Sequence, residues 1–196
     1  MTREFESHLP RLEEMEIKLP KIPANGKIID ESIHTEVMYN GELIELRTTY
    51  NLIREDENNY KEVSVEIFYK KPNSNDYDGS MLIELNTGWS GDNTCTTSIK
   101  NKDRSLPGIG RTLWEVGLKY IQKIANEYGL TITHYITKYP HEGLSPAKWD
   151  ELFVPLLNKH GYSKKTFSNP NLNRLVPNSY EKIYTPQVHT TKKEVR

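Results

Sequence analysis

The first half of the chain alternates apolar and polar residues with a period of two, which is typical of β-strands buried on one face. The alternation is clearest in YKEVSVEIFYKK, residues 60–71, where valine, isoleucine and tyrosine point one way and glutamate, serine and lysine point the other. Asn40-Gly41 is a strong signal for a two-residue hairpin turn. The pattern predicts five strands in an antiparallel meander, at residues 27–39, 42–53, 60–71, 80–88 and 94–100.

The spacing of apolar residues changes after residue 108 to every third or fourth position, which predicts an amphipathic helix that ends at Gly129. Its apolar face consists of Leu113, Val116, Tyr120, Ile121, Ile124 and Tyr128. LTITHYIT, residues 130–137, predicts a strand, and YEKIYT, residues 180–185, predicts another. The order of strands and helices therefore predicts an α+β protein.

A second helix is predicted to open at Ser145-Pro146, an N-cap followed by a proline in the first turn, and to end at Gly161. Pro155 should kink or divide this helix, because proline removes a backbone N–H. The buried face is predicted to consist of Trp149, Leu152, Phe153, Leu156 and Leu157.

The pattern divides the chain into three parts. Residues 1–26 are charged and contain three prolines, so we expect a loosely docked N-terminal arm with one short helical turn. Residues 27–185 are predicted to form a single domain, and residues 186–196 are predicted to form a flexible tail.

Composition and charge narrow the classes of partner. The chain has 196 residues, with 26 Lys and Arg against 27 Asp and Glu, so no overall positive charge favours nucleic acid. Cys95 is the single cysteine, which fits a reducing compartment. No apolar run approaches the ~20 residues of a membrane span. We expect a cytoplasmic monomer or homodimer without nucleic-acid or membrane partners.

Pro107-Gly108-Ile109-Gly110-Arg111-Thr112 lies between a predicted strand and a predicted helix. Glycines at the start of a helix let an anion approach unpaired backbone N–H groups, and the helix dipole adds partial positive charge there. The turn is therefore either a phosphate cradle or an ordinary tight connection. The dinucleotide fingerprint is excluded, because its third glycine position holds Leu113, and the P-loop motif is absent.

The order of antiparallel strands, glycine turn, helix, strand and helix resembles the GNAT superfamily of acyl-CoA-dependent N-acyltransferases. The resemblance covers residues 60–185 and is strongest in GIGRTLWEVGLKYIQKIANEYG and LFVPLLNKHGY, the latter ending in Gly161-Tyr162. It implies a mixed, mostly antiparallel sheet with two main helices packed on it. The chain departs from the family at Ser105, where Gln or Arg is usual, and at Leu157, where a tyrosine often serves as general acid. The two helices that the family has near its N-terminus are not predicted here.

The resemblance implies an N-acetyltransferase that moves an acetyl group directly from acetyl-CoA, its cosubstrate, to a small-molecule or peptide amine. The pantetheine arm would follow the edge of TCTTSIK, residues 94–100, where two parallel strands splay apart. The residues expected to bind coenzyme A are Arg104, Gly108, Ile109, Gly110, Arg111 and Thr112.

Two residues are candidates for moving protons. Glu84 is a strand carboxylate and the predicted general base, and His134 is the second candidate. Cys95 has no recognisable partner motif and is predicted to be an inert apolar residue. The spacing of the histidines, and the absence of a cysteine–histidine cluster, predict no metal site. The alternative interpretation is a catalytically silent GNAT-like protein, or an unrelated α+β module that binds a protein or small ligand.

Overall fold

The computed structural model describes residues 9–21, 26–54, 60–87, 93–101, 106–137, 146–166 and 179–187. These residues form an α+β fold with one mostly antiparallel sheet and two α-helices, which confirms the predicted fold class. The elements are β1 (Lys27–Tyr39), β2 (Glu42–Arg54), β3 (Tyr60–Lys70), β4 (Gly79–Thr87), β5 (Asn93–Asn101), α1 (Ile109–Tyr128), β6 (Ile132–Thr137), α2 (Pro146–Lys159), β7 (Ser163–Lys164) and β8 (Ser179–Tyr184).

The eight strands follow the order β1-β2-β3-β4-β5-β6-β8-β7. The first five pair as the predicted antiparallel meander, and Asn40 and Gly41 form the first turn with φ values of 50° and 82°. Among the described strands, β5 and β6 are the one parallel pair, because α1 carries the chain back before β6 begins. β8 then lies between β6 and the two-residue strand β7, which the sequence pattern did not predict.

The sheet has one buried face, which we call the helix face, and one largely polar face. The registers place Tyr50, Val65 and Ile83 side by side on the helix face, each no more than 1% exposed. Ser64 and Glu84 are partners on the polar face. Burying one large apolar side chain is worth about 1.5–3 kcal/mol, so the alternation of residues along the strands fixes which face carries the core.

Helix α1 packs directly on β4. Gly117 is buried, and a Cβ atom at that position would lie 1.6 Å from Met81 Cε. The absence of a side chain at Gly117 is therefore what allows this close approach. Gly129 ends the helix in the left-handed conformation, and its N–H bonds the carbonyl of Ala125, as predicted for a C-cap.

The arm is not loosely docked over residues 9–21. Leu12 is fully buried and Met15 is 7% exposed, and both belong to the core. Met38 N–H donates to the Pro10 carbonyl at 3.0 Å, and Tyr50 Oη donates to the Lys18 carbonyl at 2.7 Å. The predicted short helical turn is present at Leu12–Glu14. The expectation of looseness was wrong here because Leu12 and Met15, three residues apart on this turn, anchor the proline-containing segment to the core.

The predicted buried face of α2 is only partly right. Leu156 and Leu157 are buried, but Leu152 and Phe153 are 50% and 38% exposed. Among the α2 side chains that the structure describes, Val154 packs against the core and Leu156 and Leu157 lie in it, so the buried part is the C-terminal part of the helix. Helical periodicity placed residues on one face without showing how much of that face is covered. The side chain of Trp149 lies outside the described part of the chain.

Pro155 does not divide α2, which runs unbroken from Pro146 to Lys159. The proline side chain is exposed on the helix, away from the buried Leu156 and Leu157. Neither of the described α-helices is sufficiently long and apolar to cross a lipid bilayer.

Candidate functional site

The parallel pairing of β5 and β6 breaks partway along both strands. Partners run from Asn93 with Ile132 to Thr96 with Tyr135, and the pairing then stops. β5 nevertheless continues to Asn101, and β6 continues to Thr137. On their outer sides, β4 pairs with β5 as far as Asn101 and β8 pairs with β6 as far as Thr137. Within the part of the chain that the structure describes, the sheet therefore contains an internal gap, whose β5 side is formed by residues 97–101.

The glycine turn lies next to this gap. A Cβ atom built on Gly110 would lie 3.7 Å from Ile99 Cγ2, which is ordinary contact with a residue of β5 beyond the last parallel pair. Ile99 is 38% exposed, although it shares a strand face with the buried Cys95. An extended ligand bound at the turn would thus continue into the gap along β5.

Several backbone groups of the turn are already paired. Gly108 has a left-handed φ of 81° and caps α1, and its carbonyl accepts from Arg111 N–H at 3.0 Å and from Thr112 N–H at 3.2 Å. Ile109 N–H donates to the Leu106 carbonyl at 3.3 Å. Among the described residues, no acceptor is found for Gly110 N–H. The turn can offer this donor to an anion, and Arg111 and Thr112 would contribute mainly through their side chains.

The side chains at the predicted coenzyme A site have different environments. Ile109 is fully buried and belongs to the core, so it can contact a ligand only through its backbone. Arg111 is 61% exposed and forms an ion pair with Glu115 at 3.6 Å. The first turn of α1 contains no acidic residue that would repel an anion. Arg104 lies outside the described residues.

The second predicted catalytic residue, His134, is fully buried on the helix face of β6. Its Nε2 lies 3.1 Å from Thr97 Oγ1, and its Nδ1 forms a short hydrogen bond with Tyr162 Oη. Tyr162 Oη in turn lies 3.2 Å from Tyr184 Oη. These contacts form one continuous hydrogen-bonded chain, which runs from Thr97 on β5 through His134 on β6 and Tyr162 to Tyr184 on β8.

The protonation of this chain follows from its burial. Removal from water lowers the pKa of His134 to about 3, with a smaller contribution from the charge of Lys182, so the imidazole is neutral at physiological pH. Burial also raises the pKa of Tyr162 well above its usual range and raises the pKa of Tyr184 to about 12. All four members are therefore uncharged, and each can act as a donor and an acceptor.

Glu84, the predicted base, lies on the polar face, opposite Ser64 on one side and Thr96 on the other. His134 shares the helix face with its strand partner Cys95. The sheet therefore separates the two predicted catalytic residues, and they do not form a dyad. Glu84 is exposed, so it can meet only a group that approaches from the polar face.

Cys95 is 1% exposed, and burial raises the pKa of its thiol well above its usual range. Both nitrogens of the adjacent His134 are occupied by Thr97 and Tyr162, so the imidazole does not activate the thiol. Leu157, which the resemblance aligns with a tyrosine of GNAT enzymes, is 1% exposed and packed in the core. Neither residue can act as a proton donor in the gap.

Thr97 and Tyr184 were missed as site residues by sequence reasoning. The alternation along β5 could have placed Thr97 on the same face as Cys95, but only the sheet order brings β8 beside β6 and so brings Tyr184 near His134. Tyr162 was noted only as the end of a helix signal. A sequence search for charged residues misses such a site because its members are neutral.

The chain matches no protein-family model, and no curated protein or solved structure is detectably similar to it. The described residues contain no cluster of histidine, cysteine, aspartate or glutamate that could hold a metal ion.

Proposed function

We propose that this protein is an acyl-CoA-dependent N-acyltransferase of the GNAT type, which transfers an acetyl group from acetyl-CoA to an amine. The observation that carries the proposal is the internal gap between β5 and β6. A sheet rarely leaves main-chain groups unpaired between two of its inner strands, because backbone N–H and C=O groups require partners. A pantetheine arm, with two amides along an extended chain, is the kind of ligand that can pair with such an edge.

The location of the glycine turn supports the same proposal. The turn follows the carboxyl end of β5, so a pyrophosphate held by Gly110 N–H and Arg111 would lie at the open end of the gap. The pantetheine arm would run back along residues 101 to 97 and bring the thioester to the closed end of the gap. Four residues of extended strand span about 13 Å, which gives room for an extended arm.

Direct transfer then needs three events. The neutral amine attacks the thioester carbonyl, the carbon–sulfur bond breaks with its electron pair on sulfur, and the amine nitrogen loses a proton. Glu84 is the carboxylate we assign to accept that proton, either directly or through water, because it faces the polar side beside Thr96 at the closed end of the gap. Acetyl-CoA and the amine would thus meet from opposite faces of the sheet.

The test is a thermal-unfolding titration with acetyl-CoA and with free coenzyme A, with pantetheine alone and inorganic pyrophosphate as separate arms. A ligand at 100 times its dissociation constant stabilises the folded state by about 2.7 kcal/mol. Coenzyme A should stabilise more than either fragment, because it occupies both the turn and the gap. No stabilisation by millimolar coenzyme A would refute the proposal.

A second candidate is a catalytically silent protein of the same fold, or an unrelated α+β module that binds a protein or small ligand. The buried Leu157 favours it, because the position of the usual acid holds a core side chain. A screen for thiol release with polyamines, amino sugars, aminoglycosides and peptide N-termini separates these functions. Binding of coenzyme A without any release favours the silent protein, and absence of binding favours the unrelated module.

A further inference from the structure

The relative acidities of its members favour one direction for the hydrogen-bonded chain Thr97–His134–Tyr162–Tyr184. A phenol is a much stronger acid than the N–H of a neutral imidazole, so Tyr162 donates to Nδ1 of His134 rather than the reverse. Since the imidazole is neutral, its one proton must then be on Nε2. That N–H donates to Oγ1 of Thr97 across the 3.1 Å contact.

The direction of the chain determines what Thr97 can do. Because Thr97 Oγ1 accepts from His134, its own O–H must point to another acceptor. Thr97 is the first residue of β5 after the last parallel pair, Thr96 with Tyr135, and it is half-buried. Its hydroxyl group lies between β5 and β6 at the closed end of the gap.

We propose that Thr97 donates a hydrogen bond to the sulfur of the departing coenzyme A thiolate, and that His134, Tyr162 and Tyr184 are positioning residues that hold this donor in place. The inference rests on the proposed function, which brings the thioester to the closed end of the gap. It assigns the stabilisation of the leaving group to a chain of neutral groups, with no contribution from a residue at the position of Leu157.

The chemical step is balanced without proton transfer along the chain. The amine nitrogen forms a bond to the carbonyl carbon, the carbon–sulfur bond breaks, and sulfur keeps the electron pair as a thiolate. The Thr97 O–H bond remains intact while its hydrogen bond to sulfur strengthens, as for any donor aimed at developing charge. The thiolate takes its proton from water as coenzyme A leaves, and the amine proton goes to the general base.

Burial of the positioning residues explains why the donor can be effective. His134 is fully buried, and Tyr162 and Tyr184 are 5% and 3% exposed, so water does not compete for their hydrogen bonds. Aligned hydrogen bonds polarise one another in such surroundings. Tyr162 follows the end of α2 and Tyr184 lies on β8, so both segments must be in place before the Thr97 hydroxyl is aimed.

The first experiment measures the tautomer of His134 by two-bond proton–nitrogen correlation NMR on protein labelled in its histidines. The six histidines are distinguished by comparison with His134→Gln. We expect the proton on Nε2 in the wild-type protein and a mixed tautomer in Tyr162→Phe, which lacks the phenol. A wild-type His134 with its proton on Nδ1 overturns the inference. This measurement needs no substrate.

The second experiment compares Thr97→Val with the wild-type protein in transfer from acetyl-CoA. Loss of a charge-assisted donor should lower kcat roughly 10- to 100-fold with little change in the KM for acetyl-CoA. The loss should shrink with an acetyl thioester of a more acidic thiol, since its thiolate needs less stabilisation. Thr97→Ser, which keeps the hydroxyl, should lose less than Thr97→Val.

Thr35→Val is the matched control, because Thr35 is also a half-buried strand threonine but lies on β1, far from the gap. Circular dichroism verifies that each variant folds. If the wild-type protein binds no coenzyme A, both the proposed function and this inference fail. If coenzyme A binds but Thr97→Val retains the wild-type kcat, or loses activity equally with every leaving group, only this inference is overturned.

Discussion

Replacing Gly110 with aspartate should change the stability of the fold and the affinity for coenzyme A in opposite directions. Gly110 is the second residue of α1, and among the described residues a Cβ atom there meets nothing closer than Ile99 Cγ2 at 3.7 Å. The residue has no positive φ, so the backbone tolerates a side chain. The aspartate carboxylate would occupy the same place as a phosphate bound to the helix N-terminus.

The effect on stability follows from helix physics. Glycine is destabilising inside a helix by about 0.5–1 kcal/mol relative to alanine, and aspartate recovers part of this. A carboxylate in the first turn adds about 0.3–1 kcal/mol through the helix dipole. The first turn of α1 has no acidic residue that would oppose it. Gly110→Asp should therefore unfold at the wild-type temperature or slightly above it.

The effect on binding follows from Coulomb repulsion. Two like charges ~5 Å apart near a protein surface repel by about 3 kcal/mol at an effective dielectric constant of 20. This is a loss of about 10²-fold in affinity, because each 1.4 kcal/mol is tenfold.

Isothermal titration calorimetry with coenzyme A and thermal unfolding by circular dichroism measure the two effects on the same samples. Gly110→Asn is the matched control, since it adds a side chain of the same size without charge and should lose much less affinity. The repulsion should also weaken at high salt. A folded Gly110→Asp protein with wild-type affinity for coenzyme A would show that no phosphate lies at this turn.

Three further predictions test other parts of the structure. Glu84→Gln should lower kcat by roughly 10²–10⁴-fold with unchanged coenzyme A affinity, and the residual rate should rise with pH; an unchanged kcat removes Glu84 as the base. Trp114→Ala should lower the free energy of unfolding by ~3–5 kcal/mol, because Trp114 is 8% exposed and packs on His160 and Tyr162. Phe153→Ala should lower it by less than about 1 kcal/mol, because Phe153 is half-exposed. Urea unfolding measures both losses, and equal losses would contradict the helix packing. Burial lowers the pKa of His134 to about 3 in the folded protein, against 6.5 for an unperturbed histidine, so the unfolded state binds a proton first as the pH falls. The contribution of His134 to the free energy of unfolding is therefore fully present above pH 6.5 and falls by about 2 kcal/mol at pH 5. His134→Gln should remove this part of the dependence of stability on pH.

The regular elements were predictable because their signals are local. Asn40-Gly41, the alternation in β3 and the apolar stripe of α1 each act over a few residues, and each gave the element that forms. The extent of burial was less predictable. Leu152 and Phe153 follow the helical period but are exposed, whereas Leu12 lies in an irregular arm and is fully buried, because burial depends on what lies opposite each side chain.

The sequence by itself determined every described strand except the two-residue β7, both helices, the face of the sheet that carries the core, and the glycine turn ahead of α1. Only the tertiary structure decided that the pairing of β5 and β6 stops at Thr96, and that Glu84 and His134 lie on opposite faces. Only it brought Tyr184 and Tyr162 to His134, because these contacts join residues far apart in the chain. Local propensity is set by near neighbours, but a site assembled from four elements depends on strand order and register, which follow from the packing of the whole sheet.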